Sequence, residues 1–160
     1  MNPIASALAT GGIEAGRIDG DRVPAYSALA DPRGAETLGT ALSAAIAANG
    51  RVQRDGVSRI VVWDTGDLVL AHVVARELGV PIAQGIDAQG VVELIGEVAP
   101  GDRVAVVASA IRNAHHLLAM QAVVRNAQAQ VIVVGTLVDT PALRASAGEA
   151  DVIALTGGSQ

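Results

Sequence analysis

Residues 101–120, "GDRVAVVASAIRNAHHLLAM", carry the pattern that decides the fold class of this chain. The apolar run from Val104 to Val107 predicts a buried strand, and the amphipathic run from His115 to Asn126 predicts a helix. A strand-to-helix turn of this kind often holds a phosphate on backbone N–H groups, with Gly, Ser or Thr in the turn. Here the turn is built differently, and it consists of Ala108, Ser109, Ala110, Ile111, Arg112, Asn113, Ala114, His115 and His116.

Apolar strands alternate with amphipathic helices along the rest of the chain, which is typical of right-handed βαβ units. We therefore predict one α/β domain over residues 1–160, with three layers, a mainly parallel five-stranded sheet and helices on both faces. A small, Gly-rich, irregular N-terminal segment, with a hairpin between Arg17 and Tyr26, precedes it. The predicted strands are Arg59–Trp63, Val80–Gln84, Arg103–Val107, Val131–Gly135 and Asp151–Leu155, with a weak one at Val91–Leu94. The predicted helices are Gly34–Asn49, closed by Asn49-Gly50, and Leu68–Leu78, His115–Asn126 and Pro141–Ala147.

The composition excludes several kinds of chemistry. The chain has no Cys, so it has no disulfide and no thiolate zinc site. All eleven basic residues are Arg, which excludes a Schiff-base lysine and a Walker-type phosphate lysine. The net charge of −5 argues against nonspecific nucleic-acid binding. No apolar stretch approaches a membrane span and no secretion signal precedes the domain, so we expect a cytoplasmic protein without a membrane anchor.

Three stretches resemble the type I phosphoribosyltransferases, and most closely their orotate branch. They are "GGIEAGRIDGDRVPAYSALADP" (11–32), "RIVVWDTGDLVLAHVVARELGVPIA" (59–83) and "GEVAPGDRVAVVASAIRNAHHLLAMQAVVRNAQAQVIVVGTLVD" (96–139). The first is similar to the N-terminal hood region of that branch, and the second to its pyrophosphate-binding turn and flanking strands. The third follows the rhythm of the family's phosphoribosyl pyrophosphate motif. The resemblance implies the family fold over nearly the whole chain.

The residues that carry the family's chemistry are replaced. Ala108 and Ser109 stand where the family has two adjacent acids for the ribose hydroxyls of phosphoribosyl pyrophosphate. Residues 112–116, "RNAHH", replace the Thr- and Gly-rich loop that wraps the 5′-phosphate. The segment Ile86–Ala99, predicted to be a short acidic loop, has no basic residue where the family carries a mobile Lys- and Arg-bearing loop. The resemblance therefore implies the fold without the usual catalytic groups.

Two turns fall at the carboxyl ends of the predicted strands, where ligands of parallel sheets bind. Asp64, Thr65, Gly66 and Asp67 either contact a diphosphate and its Mg²⁺, or form an ordinary turn in which Asp67 caps the next helix. In the second turn Arg112, His115 and His116 either form an altered anion site, which histidine protonation would strengthen, or face solvent after relaxed selection.

Three other residues near these turns have two interpretations each. Trp63 either stacks on a base or fills the vacated pocket, and filling is favoured because an empty apolar cavity destabilises a core. Asp139 is either a family-like acid or the N-cap of the Pro141 helix. We predict no metal site, because adjacent histidines rarely chelate together and His72 is the only other imidazole.

Three functions remain open. The first is a phosphoribosyltransferase-like protein that lacks normal activity and either binds a nucleotide or phosphate or acts as a partner subunit. The second is an active phosphoribosyltransferase with atypical phosphate-binding residues. The third is an assembly protein whose former active-site face is an interface. No catalytic residue is assigned, and Mg²⁺ is expected only if phosphoribosyl pyrophosphate binds. The resemblance also implies a homodimer, or a heteromer with an active paralogue.

Overall fold

The structure is a computed structural model that describes residues 29–63 and 65–156. Its helices are α1 (Pro32–Ala47), α2 (Gly50–Asp55), α3 (Leu68–Leu78), α4 (Ala114–Asn126) and α5 (Pro141–Ser146), and a 3₁₀ turn spans Thr65–Asp67. The strands are β1 (Arg59–Val62), β2 (Ile82–Ala88), β3 (Val91–Ile95), β4 (Arg103–Ala108), β5 (Gln130–Val138) and β6 (Asp151–Thr156). The described residues begin at Leu29, so the hairpin predicted between Arg17 and Tyr26 in the N-terminal segment lies outside them.

The strands form one sheet in the order β3-β2-β1-β4-β5-β6. Every neighbouring pair is parallel except β2 and β3, which are antiparallel. The mainly parallel α/β prediction is confirmed, but the described sheet has six strands where five were predicted. The strand order reverses between β1 and β4, which makes the gap between their carboxyl ends the switch point where ligands of open α/β sheets bind.

The sixth strand, β3 (Val91–Ile95), forms where a weak strand was predicted at Val91–Leu94, within the segment Ile86–Ala99 that was otherwise expected to be a short loop. Gln89 and Gly90 have φ angles of 57° and 85°, as a two-residue hairpin turn requires. The Asp87 carboxylate accepts a hydrogen bond from the Gly90 N–H at 2.7 Å. The hairpin pairs β3 with β2 and carries no basic side chain, because residues 86–99 contain none.

Several element boundaries differ from the predictions, and two of them do so because backbone groups are used in helix caps. The second strand begins at Ile82 instead of Val80, since the Val80 N–H still bonds to Ala75 at the end of α3. Asn49, predicted to help close the first helix, begins α2: its side chain accepts hydrogen bonds from the N–H groups of Arg51 and Val52 at 3.0 and 3.1 Å. Helix α2 was not predicted.

Two aliphatic cores cover the sheet, one on each face, as the three-layer prediction requires. Helices α1 and α3 pack over one face and α4 and α5 over the other. Gly39 of α1 allows the close approach to α3, because a Cβ there would lie 2.4 Å from Cγ1 of Val73. Close packing of Leu, Ile and Val side chains therefore forms the core of a chain that has one Trp, one Tyr and no Phe.

A polar cluster joins the amino ends of β1 and β4. The Asp102 carboxylate accepts hydrogen bonds from the Ala99 N–H at 2.8 Å, the Ser58 hydroxyl at 2.8 Å and Arg59 Nε at 3.0 Å. Burial acts to raise the pKa of Asp102, but these three donors outweigh it and hold that pKa below its usual value. The cluster therefore stabilises the ionised carboxylate at the edge of the sheet opposite the switch point.

Candidate functional site

The two predicted turns meet at the switch point of the sheet. Thr65–Asp67 follow β1, and Ser109 follows Ala108, the last residue of the neighbouring strand β4. Asp139 follows β5, the next strand along. The structure thus brings together the sequence-predicted residues of both turns, apart from Asp64, which lies outside the described residues.

A buried carboxylate joins the two turns. Asp67 occupies the N-cap position of α3, but its side chain makes no cap hydrogen bond, so of the two interpretations of this turn the capping one is wrong. Its Oδ1 instead accepts a hydrogen bond from the Ser109 N–H at 3.0 Å, and Asp67 is only 8% exposed. Backbone N–H groups of buried residues need such partners, because an unsatisfied one costs free energy. The contact therefore holds the two sides of the crevice together.

Ala108 and Ser109, the two positions where the resembling family carries acids, are buried at 5% and 4% exposure. Ala108 pairs with Thr136 in the sheet and belongs to the core on the α4 face. The Ser109 carbonyl accepts hydrogen bonds from the N–H groups of Leu137 and Val138 at 3.1 and 3.2 Å. Neither position offers a carboxylate, and the backbone of Ser109 is engaged on both sides by protein groups.

The rest of this turn, from Ala110 to Asn113, leads directly into α4. Ile111 is buried and its carbonyl accepts a hydrogen bond from the Thr140 hydroxyl. Arg112 is exposed, and the Asn113 side chain caps α4 by accepting from the His115 N–H at 2.9 Å. One of the N–H groups that an anion at this helix end would use is therefore already bonded within the protein.

An aromatic pair closes the same crevice on the α4 face. The His116 ring stacks on the Trp63 indole, with centroids 4.9 Å apart and planes inclined by 24°. Trp63 also lies over Gly85, where a Cβ would come within 3.1 Å of its ring and 3.7 Å of Met120. The Trp63 indole therefore packs between the sheet and α4. His115 and His116 are both exposed, and the described residues contain no group of three potential ligands for a metal ion.

Asp139 is not the cap of α5 that one interpretation expected. Thr140 is the N-cap, and its hydroxyl accepts from the Leu143 N–H at 3.1 Å. The Asp139 carboxylate forms a bidentate pair with Arg144, with N–O distances of 2.8–3.1 Å. The hydrogen bonds that the Arg144 guanidinium donates to Asp139 raise the pKa of that guanidinium. Asp139 is thus held in an ion pair at the rim of the crevice.

Comparison with other proteins identifies the fold and not the activity. No family model matches the sequence, and no curated protein sequence is significantly similar to it. No helix among the described residues is long and apolar enough to cross a membrane. Solved structures, by contrast, match over most of the chain.

Three of these structures illustrate the match. Orotate phosphoribosyltransferase of Mycobacterium tuberculosis aligns with a TM-score of 0.71 and 19% identity, covering 98% of this chain and 88% of that one. UMP synthase of Leishmania donovani aligns with a TM-score of 0.73 and 16% identity, over 96% of this chain and 35% of that longer one. Adenine phosphoribosyltransferase of Rhodothermus marinus aligns with a TM-score of 0.64 and 16% identity, over 96% and 99%. The chain has the type I phosphoribosyltransferase fold.

Proposed function

We propose that this chain, which has the type I phosphoribosyltransferase fold, lacks ordinary transferase activity and serves as a nucleotide- or phosphate-binding protein or partner subunit. The observation that carries the proposal is the state of Ala108 and Ser109: both are uncharged, buried and held by contacts within the protein. Carboxylates that bind ribose hydroxyls must be ionised and accessible to the ligand. Ala108 and Ser109 are uncharged and buried. Burial of a carboxylate without partners is strongly unfavourable, so this packing suits only neutral residues.

Two contacts across the crevice support the same proposal. The Asp67–Ser109 hydrogen bond joins the turns after β1 and β4, and the Trp63–His116 stack spans them on the α4 face. A phosphoribosyl group at the switch point would have to displace these groups. The hairpin over residues 86–99 also lacks any cation to neutralise a leaving diphosphate.

The test is a transferase assay on the purified chain. Phosphoribosyl pyrophosphate, Mg²⁺ and either orotate or adenine are supplied, and pyrophosphate release is measured. The Mycobacterium tuberculosis orotate enzyme, assayed in parallel with orotate, is the positive control. We expect no release above background from this chain. Turnover of about 1 s⁻¹ or faster, which ordinary enzymes reach, contradicts the proposal.

Ligand binding is tested separately by thermal shift with phosphoribosyl pyrophosphate, phosphate, nucleoside monophosphates and orotate. A ligand present at about 100 times its Kd adds roughly 2.7 kcal/mol to the native state. For a domain of this size that raises Tm by roughly 5–10 °C. We expect a nucleoside monophosphate or phosphate to produce a measurable shift. If all these compounds leave Tm unchanged, the chain is not a phosphate-binding protein, and only the partner role remains.

We further propose that the partner is a second copy of the chain, bound through the side of the sheet that α3 covers only in part. Val69 of α3 is 49% exposed, and Val91 and Ile95 of β3 are 61% and 57% exposed. The register of β2 and β3 places Ile95 opposite Gln84, on the same side as Ile82, which lines an apolar groove of about 330 Å³ beside Val69. An apolar patch of this kind marks an interaction surface.

The oligomeric state tests this part of the proposal. We expect the wild-type chain to sediment as a dimer in analytical ultracentrifugation and Val69→Glu to shift it to monomer. Leu118→Glu is the matched control, because Leu118 is also 49% exposed but lies on α4, on the other face of the sheet. A wild-type monomer at micromolar concentration, or equal effects of the two substitutions, contradicts the dimer.

A further inference from the structure

A polar cleft lies at the edge of the molecule opposite the switch point. It has a volume of about 540 Å³, which falls within the range of small-molecule sites. One wall is the last two turns of α4 and the other is the connection between α5 and β6, with the start of β5 between them. Eight residue steps along β5, at about 3.3 Å each, separate Val131 in this cleft from Asp139 by roughly 26 Å. It is therefore distinct from the crevice described above.

The floor of the cleft is apolar and its walls are held in place. Ala129 and Val131 are each 9% exposed and Ala147 is 5% exposed, so only a small part of each of these residues is accessible from the cleft. Gln121 of α4 donates a hydrogen bond from Nε2 to the Ala147 carbonyl at 2.9 Å, which joins the two walls. The second wall is also fixed from outside, because an Arg51 guanidinium N–H donates to the Glu149 carbonyl at 2.8 Å. These two hydrogen bonds hold the backbone of the second wall in position.

Two opposite charges line this cleft without pairing. Arg125 extends from α4, one helical turn after Gln121, and Glu149 belongs to the facing connection. Neither side chain has a hydrogen bond or ion pair within the part of the chain that the structure describes. Guanidinium presents a planar fork that fits a carboxylate, and a carboxylate such as that of Glu149 accepts from an ammonium group. A ligand that carries both groups would satisfy both walls at once.

We propose that this cleft binds a small zwitterion of the α-amino-acid class, with its carboxylate on Arg125 and its ammonium group on Glu149. The free amide of Gln130 and the Oε1 atom of Gln121 supply further polar contacts. Oε1 of Gln121 borders the cleft beside Gly148, where a Cβ would lie 3.9 Å from it. A ligand with a single charge can pair with only one of Arg125 and Glu149, so the cleft discriminates a zwitterion from a simple anion or cation.

The test measures binding of L-glutamine and L-leucine to the full chain by titration calorimetry, with acetate and methylammonium as single-charge probes. We expect saturable binding of at least one amino acid and no binding of either single-charge probe at the same concentration. Arg125→Gln and Glu149→Gln should each weaken binding roughly 10- to 100-fold, the range for loss of a hydrogen bond to a charged group. Arg33→Gln and Glu97→Gln, which remove exposed charges that do not line the cleft, are matched controls and should leave the affinity unchanged.

Both cleft residues are exposed, so the variants should fold, and circular dichroism with thermal unfolding checks this directly. Three results overturn the proposal: no binding of either amino acid, acetate binding as tightly as the better amino acid, or affinity unchanged in either cleft variant. Since the cleft is remote from Ala108 and Ser109, the transferase assay does not prejudge any of these outcomes.

Discussion

Replacement of Asp102 by Ala should destabilise the domain in a strongly pH-dependent way. The substitution removes the acceptor of three hydrogen bonds, from the Ala99 N–H, the Ser58 hydroxyl and Arg59 Nε. The side chains of Asp102 and Arg59 are only 14% and 15% exposed, so solvent replaces these bonds incompletely. The mostly buried Arg59 guanidinium would also lose its carboxylate partner at 3.0 Å.

The expected magnitude follows from these contacts. A hydrogen bond to a charged group contributes about 1.5–3 kcal/mol and a neutral one about 1 kcal/mol, although contributions within one network do not add fully. Partial exposure reduces the sum, and we expect a loss of about 2–4 kcal/mol at pH 7. For a chain of 160 residues this lowers Tm by roughly 5–15 °C.

The sign of the pH dependence follows from the lowered pKa of Asp102. The native state binds the proton less readily than the unfolded state, so the ionised carboxylate stabilises the fold above the unfolded-state pKa of about 4. That contribution is lost as the pH falls through the lower native-state pKa. The difference in stability between the wild type and Asp102→Ala should therefore be full at pH 7 and shrink below about pH 4.

Urea unfolding, followed by circular dichroism and by the fluorescence of the single tryptophan Trp63, measures this difference. Asp55→Ala is the matched control, because its carboxylate lies 3.9 Å from Arg51 and is 45% exposed. Exposed pairs contribute little, so the control should stay within about 1 kcal/mol of the wild type. The reasoning is refuted if Asp102→Ala matches that control at pH 7, or if its deficit persists unchanged at pH 3.

Three further substitutions test the crevice and the packing beneath it. Ala108→Glu places a carboxylate in the core, so we expect a loss of several kcal/mol in urea unfolding and no transferase activity. Gly39→Ala brings a Cβ to 2.4 Å from Val73, and overpacking should cost about 1–3 kcal/mol, measured as a lower Tm. Asp67→Ala leaves the buried Ser109 N–H without its acceptor; we expect a loss of about 1–3 kcal/mol and faster hydrogen exchange at that amide, observed by NMR.

Each of these substitutions has a matched control. Leu118→Glu places the same acid on the surface, and Gly50→Ala adds a Cβ where only the end of the Arg54 side chain lies within 4 Å. Glu97→Gln changes an exposed acid in the connection between β3 and β4. The burial of Ala108 is contradicted if Ala108→Glu is stable or active. The close approach at Gly39 is contradicted if Gly39→Ala is as stable as its control. The Asp67–Ser109 hydrogen bond is contradicted if Asp67→Ala leaves the protection of the Ser109 amide unchanged.

The α/β class was predictable because it depends on short-range patterns. The β-branched run Arg59–Val62 and the Leu68–Leu78 helix each show their own sequence period. Gly79 ends that helix with a φ of 69°, a conformation that glycine adopts readily. The sixth strand was underestimated because Val91–Ile95 alternates weakly and gains its pairing from β2. Helix α2 was missed because Asn and Gly end helices as readily as they begin them, and only the hydrogen bonds of Asn49 distinguish the two.

The sequence by itself determined which chemical groups are present at the crevice. It showed that Ala108 and Ser109 carry no carboxylate and that the chain has no lysine or cysteine anywhere. The tertiary structure alone decided what the remaining groups do, because their partners are distant in the chain: Asp67 meets Ser109 across 42 positions. Local propensity makes Asp67 a helix cap, but the unsatisfied N–H of a buried neighbouring turn requires its carboxylate more strongly than the helix does. Such partnerships depend on which strand ends lie side by side, which no local pattern encodes.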